Sequence, residues 1–117
     1  MTITLICLPT CSTCRETTKY LEAKGCDIEY RNIKLDPPSI DQLKTIHQKS
    51  GLPINRLFNT SGNSYRELNL KDKMSELSDY QKYELLSKDG MLIKRPIIIS
   101  QDTVIIGFKK EQIDEAF

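Results

Sequence analysis

A short apolar run that leads directly into two closely spaced cysteines constrains the fold of this chain most strongly. Residues 3–8 read Ile-Thr-Leu-Ile-Cys-Leu, which has the length and β-branched character of a buried strand. Cys11 and Cys14 follow, and residues 12–24 have a helical pattern that ends before Gly25, a residue suited to a helix C-terminus. The sequence therefore predicts a strand, a Cys-x-x-Cys motif and a helix in direct succession.

This Cys-x-x-Cys pair predicts redox chemistry. Two thiols at this spacing lie within one helical turn, close enough to form a disulfide, and Cys11 would lie at the helix N-terminus. Backbone N–H groups and the helix dipole there favour a thiolate, which attacks while the neighbouring Cys14 resolves. The alternatives are inert packing and zinc binding. A closed zinc site needs four ligands, and the chain contains no second Cys-x-x-Cys.

The elements after the first helix indicate an α/β fold. Alternating residues predict a second strand over residues 27–33, and Ser39 is placed to cap a second helix. A right-handed crossover between the two strands would make them parallel. Residues 51–90 are mostly helical in pattern, with short helical segments expected at 54–59, 65–70 and 75–86 and a loop at 60–64.

The C-terminal part of the chain returns to a β pattern. Residues 96–99 and 104–106 are spaced as an antiparallel hairpin through Ser100-Gln101-Asp102-Thr103, and residues 109–117 predict a final helix. We therefore expect one domain over residues 1–117. Its predicted fold is thioredoxin-like (glutaredoxin-like) α/β, a mixed four-stranded sheet with a helical insert at about residues 51–90, before the third strand.

The composition gives no sign of a nucleic-acid or membrane partner. Lysine and arginine number 17 against 16 aspartate and glutamate, so no strongly basic surface is expected. The first apolar run is too short for a membrane span or a secretory signal. Because no such segment is found, we expect a protein of the reducing cytoplasm, where cysteines are more often catalytic or metal-binding than structural.

Three stretches of the chain also carry a resemblance to a known family. Residues 11–15 read Cys-Ser-Thr-Cys-Arg, residues 58–62 and 65–70 read Phe-Asn-Thr-Ser-Gly and Tyr-Arg-Glu-Leu-Asn-Leu, and residues 92–98 and 104–108 read Leu-Ile-Lys-Arg-Pro-Ile-Ile and Val-Ile-Ile-Gly-Phe. Together, and in this order, they resemble the arsenate reductase-related ArsC/Spx family of thioredoxin-like proteins.

The resemblance implies roles for individual residues. Cys11 would be the nucleophile, and Arg95 would lie beside the cysteines before a cis Pro96. Two further arginines of the arsenate-reducing members fall on Asn59 and Phe108 here, which weakens the case for arsenate as the substrate. The expected catalytic residues are therefore Cys11, Cys14 and Arg95. The expected substrate-binding residues are Ser12, Thr13, Arg15 and Pro96, although Ser12 and Thr13 could simply cap the helix and Arg15 could simply be solvated.

Two functions of different classes follow from this resemblance. The first is an arsenate reductase-like thiol–disulfide oxidoreductase that acts on a small thiol or oxyanion substrate. It would bind no cofactor and no metal and would be recycled by an external thiol reductant: glutathione with glutaredoxin, or thioredoxin, as redox partner. The alternative is an Spx-like redox-sensing transcriptional regulator that binds the RNA polymerase α-subunit without contacting DNA.

The remaining cysteines and the single histidine are expected to be structural. Cys7 lies within the first predicted strand and is expected in the core. Cys26 follows the turn at Gly25 and is expected to be structural or incidental. His47 is expected to be a solvated or half-buried helix residue, because the sequence offers it no catalytic partner.

Overall fold

The fold is known from a computed structural model that describes residues 2–101 and 103–117. A four-stranded mixed sheet joins the two ends of the chain, in the order β2-β1-β3-β4. Strand β1 (Thr2–Cys7) is parallel to β2 (Asp27–Asn32) and antiparallel to β3 (Ile97–Ser100), which forms a hairpin with β4 (Thr103–Ile106). This confirms the predicted mixed sheet; Asp102, assigned by the sequence to the hairpin connection, lies outside the described residues.

The sheet and two helices form the first of two compact units, made of the chain up to Ile33 together with Arg95–Phe117. Helix α1 (Ser12–Ala23) follows β1, and α6 (Lys110–Ala116) ends the chain. Strand β1 is central because its residues are apolar on both faces, and the core of this unit is built around it. The buried core cluster comprises Ile3, Leu5, Cys7, Cys14, Leu21, Ile98, Ile105 and Ile113.

The second compact unit, Lys34–Lys94, is the helical insert that precedes β3, and it is longer than the predicted 51–90 because it includes α2. It contains α2 (Ile40–Ser50), α3 (Asn63–Glu67), α4 (Leu70–Lys73) and α5 (Asp79–Lys88). Three short 3₁₀ turns lie at Ile54–Leu57, Met74–Glu76 and Gly90–Leu92.

The helical insert differs in detail from the sequence-based prediction. The helix expected over residues 75–86 begins only at Asp79, because Ser78 caps it through a reciprocal capping box with Gln81. The helix expected over residues 65–70 is broken at Asn69, whose φ of 52° is left-handed. The predicted loop at 60–64 already gives way to α3 at Asn63.

The interior of the insert combines apolar packing with a few polar contacts. Helices α2 and α5 pack together and bury Leu43, Ile46 and Leu86. His47 Nδ1 on α2 lies 2.6 Å from the hydroxyl of Tyr83 on α5. The buried Lys82 donates from Nζ to Asn55 Oδ1 at 2.9 Å. Both contacts are polar pairs between segments of the insert.

Candidate redox site

Cys11 is the residue at which the chain leaves the loop after β1 and enters α1. Its backbone is extended (φ −82°, ψ 122°), its N–H donates to the Leu8 carbonyl at 3.0 Å, and its carbonyl accepts from Arg15 at 3.1 Å. The last of these is the first intrahelical bond, so Cys11 is the N-cap. Its thiol is free and partly exposed, as a nucleophile must be.

The surroundings of Cys11 favour its ionised form. Partial burial is the largest single influence and raises the pKa of the thiol, but the combined effect of its neighbours is greater. The backbone N–H groups of Cys14 and Thr13 and the Arg95 guanidinium lower that pKa below the ordinary cysteine value. Hydrogen bonding from the Cys14 N–H and from the Arg95 guanidinium lowers the pKa most, and the positive charge of Arg95 and the Thr13 N–H lower it further.

Arg95 supplies the positive charge at this site. It lies at the start of the segment leading into β3, and the peptide bond between Arg95 and Pro96 is cis, as the resemblance implied. Its Nε and Nη1 atoms are buried and have no hydrogen-bond partner among the described residues. A half-buried guanidinium with two buried, unused donors favours an anion at its side, either the Cys11 thiolate or a negatively charged group of a substrate.

Cys14 is bonded to Cys7 in this structure and not to Cys11. The two Cα atoms are 5.9 Å apart, within the range that a disulfide spans. Cys7 ends β1 and Cys14 lies in the first turn of α1; their exposed fractions are 0% and 1%. Cys7 is therefore buried as predicted, but it is also a redox partner. The sequence expectation of a Cys11–Cys14 pair differs from this pairing, because the end of β1 faces the first turn of α1.

Tyr30 is a residue near Cys11 that the sequence analysis did not single out. It lies on β2, an edge strand, and keeps 42% of its surface exposed. Partial burial and, second, the negative charge of the Cys11 thiolate raise the pKa of its hydroxyl. The alternation of β2 predicts only that some side chains are exposed, so no sequence signal could have placed Tyr30 within electrostatic range of Cys11.

The other predicted substrate-binding residues lie close to Cys11 along the chain but play unequal parts in the site. Ser12 and Arg15 are exposed on the first turn of α1. Thr13 contributes its N–H toward Cys11, and its carbonyl accepts from the Thr17 hydroxyl at 2.7 Å. Pro96 is buried and its carbonyl accepts from the Gly107 N–H at 2.7 Å.

Asn59 and Phe108, the positions that the resemblance assigns to two further arginines, are uncharged residues in this chain. Phe108 packs edge-on against Tyr20, with ring centres 5.6 Å apart, and Lys110 lies over both rings. Asn59, in the helical insert, donates its backbone N–H to the Leu92 carbonyl at 2.7 Å. In the part of the chain that the structure describes, no group of three or more His, Cys, Asp or Glu side chains could hold a metal ion.

A partly exposed, activated thiol at a helix N-terminus, on a β2-β1-β3-β4 sheet with a cis-proline before β3, defines a thioredoxin-like protein. More specifically, the chain belongs to the ArsC family, whose model matches residues 7–116. None of the helices in the described ranges has the length and apolar character needed to span a bilayer.

Individual relatives agree with this assignment. The chain is 46% identical to the uncharacterized protein YusI of Bacillus subtilis over 98% of both chains. It is 29% identical to the global transcriptional regulator Spx of Listeria innocua over 95% of this chain and 83% of Spx.

Two solved structures have the same fold. An ArsC family related protein from Bacteroides fragilis superposes with a TM-score of 0.95 at 34% identity, over 100% of this chain and 98% of the other. The arsenate reductase from Vibrio cholerae superposes with a TM-score of 0.90 at 30% identity, over the same shares of the two chains.

Proposed function

We propose that this protein is a thiol–disulfide oxidoreductase in which Cys11 is the attacking thiolate. The observation that carries the proposal is the free, partly exposed Cys11 thiol at the N-cap of α1, beside the Arg95 guanidinium that lowers its pKa. The thiolate is the nucleophile in disulfide exchange, and a cation beside it increases the ionised fraction at neutral pH. The substrate class is a small disulfide or a thiol-reducible oxyanion.

Cys14 is the residue that completes the reaction. Attack of the Cys11 thiolate on a substrate disulfide forms a mixed disulfide and releases one substrate thiolate. The Cys14 thiolate then attacks the Cys11 sulfur, forms Cys11–Cys14 and releases the second substrate thiolate. The Leu8 N–H points to Cys14 Sγ at 3.5 Å, where it can stabilise negative charge on that sulfur. An external thiol system, glutathione with glutaredoxin or thioredoxin, returns the dithiol in a reducing cytoplasm.

Arg95 holds negative charge during this reaction. Its unpartnered Nε and Nη1 can bind the leaving thiolate or an oxyanion. Because Asn59 and Phe108 supply no charge where arsenate reductases carry arginines, a disulfide suits the site better than arsenate. We therefore place disulfide exchange ahead of arsenate reduction.

Turnover tests this function directly. The reduced protein is given glutathione disulfide or arsenate with a thioredoxin system coupled to NADPH consumption, and the rate without the protein is subtracted. We expect consumption with the disulfide, and its loss in Cys11→Ser because serine is not ionised at neutral pH. The matched control is Cys26→Ser, the other free cysteine, which should leave the rate unchanged. Equal rates in Cys11→Ser and the wild type would refute the proposal.

The second candidate is a redox-switched regulator that binds RNA polymerase. The observation in its favour is the similarity to Spx over nearly the whole chain. A regulator should show negligible turnover and should retain the RNA polymerase α-subunit in one redox state only. Pull-down of purified α-subunit by the reduced and the oxidised protein, beside the turnover assay, separates the two functions.

A further inference from the structure

We propose that Cys7 is a third redox cysteine, which accepts the disulfide from Cys11 so that the oxidised protein keeps Cys7–Cys14 and regains a free Cys11 thiolate. This inference rests on the proposed function of Cys11 as nucleophile. It assigns a chemical role to a strand residue outside the Cys-x-x-Cys motif, and it is carried by the pairing, burial and charges of the three cysteines.

Because the bonded cysteines are buried, another residue must first react with the oxidant and pass the disulfide on to them. Cys7 and Cys14 form the observed bond, yet their exposed fractions are only 0% and 1%. A dissolved disulfide cannot approach either sulfur in the folded protein. Cys11 is the partly exposed member of the three, and it is next to Cys14 at the start of α1. Oxidation therefore enters at Cys11 and passes inward.

The transfer is an intramolecular thiol–disulfide exchange that balances. After Cys14 has resolved the mixed disulfide, the Cys7 sulfur attacks Cys14 Sγ in the Cys11–Cys14 bond, and the proton that Cys7 gives up passes to the departing, partly exposed Cys11 sulfur, which releases it to solvent. The Cys7–Cys14 bond forms, the Cys11–Cys14 bond breaks, and Cys11 leaves as a thiolate with the electron pair. Two electrons have then passed from Cys7 and Cys14 to the substrate disulfide, which becomes two thiols.

The electrostatics of the site favour this direction. A thiolate of low pKa is the better leaving group, and Cys11 is the cysteine held below its ordinary pKa by Arg95 and the helix N–H groups. The Cys7–Cys14 pairing puts two uncharged sulfurs in the apolar core and leaves the negative charge beside the guanidinium. The Cys11–Cys14 pairing would remove the anion from Arg95, whose buried donors would remain unused.

Mapping of the bonded cysteines over time tests the transfer without any mutation. The reduced protein is mixed with limiting glutathione disulfide, quenched at intervals in guanidinium at mildly acidic pH with excess N-ethylmaleimide, so that the buried thiols are also labelled, and digested with trypsin. The first tryptic peptide ends at Arg15 and contains Cys7, Cys11 and Cys14, so tandem mass spectrometry reports which of them carries the label. We expect label on Cys7 at early times and on Cys11 at equilibrium. Label that stays on Cys7 overturns the proposal.

A variant without the third sulfur gives a second, independent readout. Cys7→Ala should still release two glutathione molecules per protein molecule but should stop at Cys11–Cys14. If the wild type prefers Cys7–Cys14 by about tenfold, the midpoint potential of the variant should be higher by about 30 mV. Cys7→Val repeats the measurement with a larger apolar side chain, and Cys26→Ser is the control in which potential and label pattern are unchanged. A potential equal to that of the wild type overturns the transfer.

The variant Cys11→Ser separates this inference from the function on which it rests. We expect loss of Cys7–Cys14 formation by glutathione disulfide, because the buried sulfurs are then reached only through local opening. If Cys11→Ser still forms Cys7–Cys14 at the wild-type rate, oxidation does not pass through Cys11 and both ideas fail. If Cys11 is required for glutathione release but the end product is Cys11–Cys14, only the transfer to Cys7 fails.

Discussion

Arg95 and Cys11 show how one charge can set the chemistry of a site. The thiol is partly buried, which alone would keep it protonated, and the guanidinium with two helix N–H groups reverses that effect. The cation is available because its Nε and Nη1 donors are not engaged by other described residues. The ionisation of Cys11 therefore depends directly on a side chain from the other end of the sequence.

This dependence makes a prediction at the residue scale. Arg95→Gln should raise the pKa of Cys11, so that alkylation by iodoacetamide slows at neutral pH and its half-maximal rate moves to higher pH. The lowered pKa of Cys11 in the folded protein also stabilises the fold. This stabilisation is fully present above the pKa of cysteine in the unfolded chain, near 8.5, and it is lost as the pH falls through the pKa of the folded protein. The stability difference between wild type and variant should thus shrink on acidification.

Alkylation rates followed across pH by mass spectrometry check this prediction, with denaturant unfolding at the same pH values. Arg66→Gln is the matched control, because Arg66 is an exposed arginine of the helical insert. An alkylation profile in Arg95→Gln that overlays that of the wild type would show that the charge does not act on Cys11.

Sequence reasoning identified Cys11 and Arg95 but not the partner of Cys14. Cys-x-x-Cys spacing places Cys11 and Cys14 within one turn, which makes their pairing possible but does not exclude another. Cys7 is seven residues from Cys14, and only the packing of β1 against α1 brings the two sulfurs together. A contact between two elements is a tertiary property, so Cys7 could be predicted as buried but not as bonded.

Among the elements, helix starts were predicted best where a side chain accepts a hydrogen bond from a free backbone N–H at the helix N-terminus. Ser39 accepts from the N–H of Gln42 while the Gln42 side chain accepts from the N–H of Ser39, and α2 begins where the sequence indicated. Ser78 and Gln81 repeat the arrangement, but residues 75–77 also fit a helical pattern and were wrongly joined to α5. Apolar periodicity alone predicts a helix that starts too early, whereas the capping residue sets where the helix actually begins.

A prediction at the element scale uses this cap. Ser78→Ala should lower the free energy of unfolding by about 1 kcal/mol, because the N–H of Gln81 loses its acceptor at the start of α5. The measurement is urea unfolding followed by circular dichroism. Ser75→Ala, an exposed serine in the preceding 3₁₀ turn, is the matched control and should change stability much less. Equal losses in both variants would contradict the cap.

For the whole chain, the sheet was the more predictable part. Its strands are short apolar runs bounded by turn residues. Once the right-handed crossover is assumed, a strand that is buried on both faces has few possible positions in the sheet. The insert is built from several short helices joined by 3₁₀ turns, and such segments depend on packing more than on local pattern. The fold class therefore followed from sequence, whereas the lengths of the insert helices did not.

A prediction for the whole molecule concerns its redox state. Reduction of Cys7–Cys14 should lower the free energy of unfolding by about 2.5 kcal/mol, the chain entropy of so short a loop. The melting temperature should fall on the order of 10 °C. Thermal unfolding of the oxidised and the reduced protein checks this, and Cys26→Ser should retain the full difference. Identical melting temperatures would mean that the bond adds nothing to stability.

The burial of Cys7 and Cys14 has a consequence in time as well as in energy. A reductant that collides with the oxidised surface meets the Cys11 sulfur, while the bonded pair lies beneath it at 0% and 1% exposure. Reduction must therefore wait for the Cys11 thiolate to attack Cys14 and return the bond to Cys11–Cys14, where an incoming thiol can attack the partly exposed Cys11 sulfur, or for the strand and helix to part. The oxidised protein therefore stays oxidised after the oxidant has gone, and only a reductant that can react at Cys11 reduces it quickly.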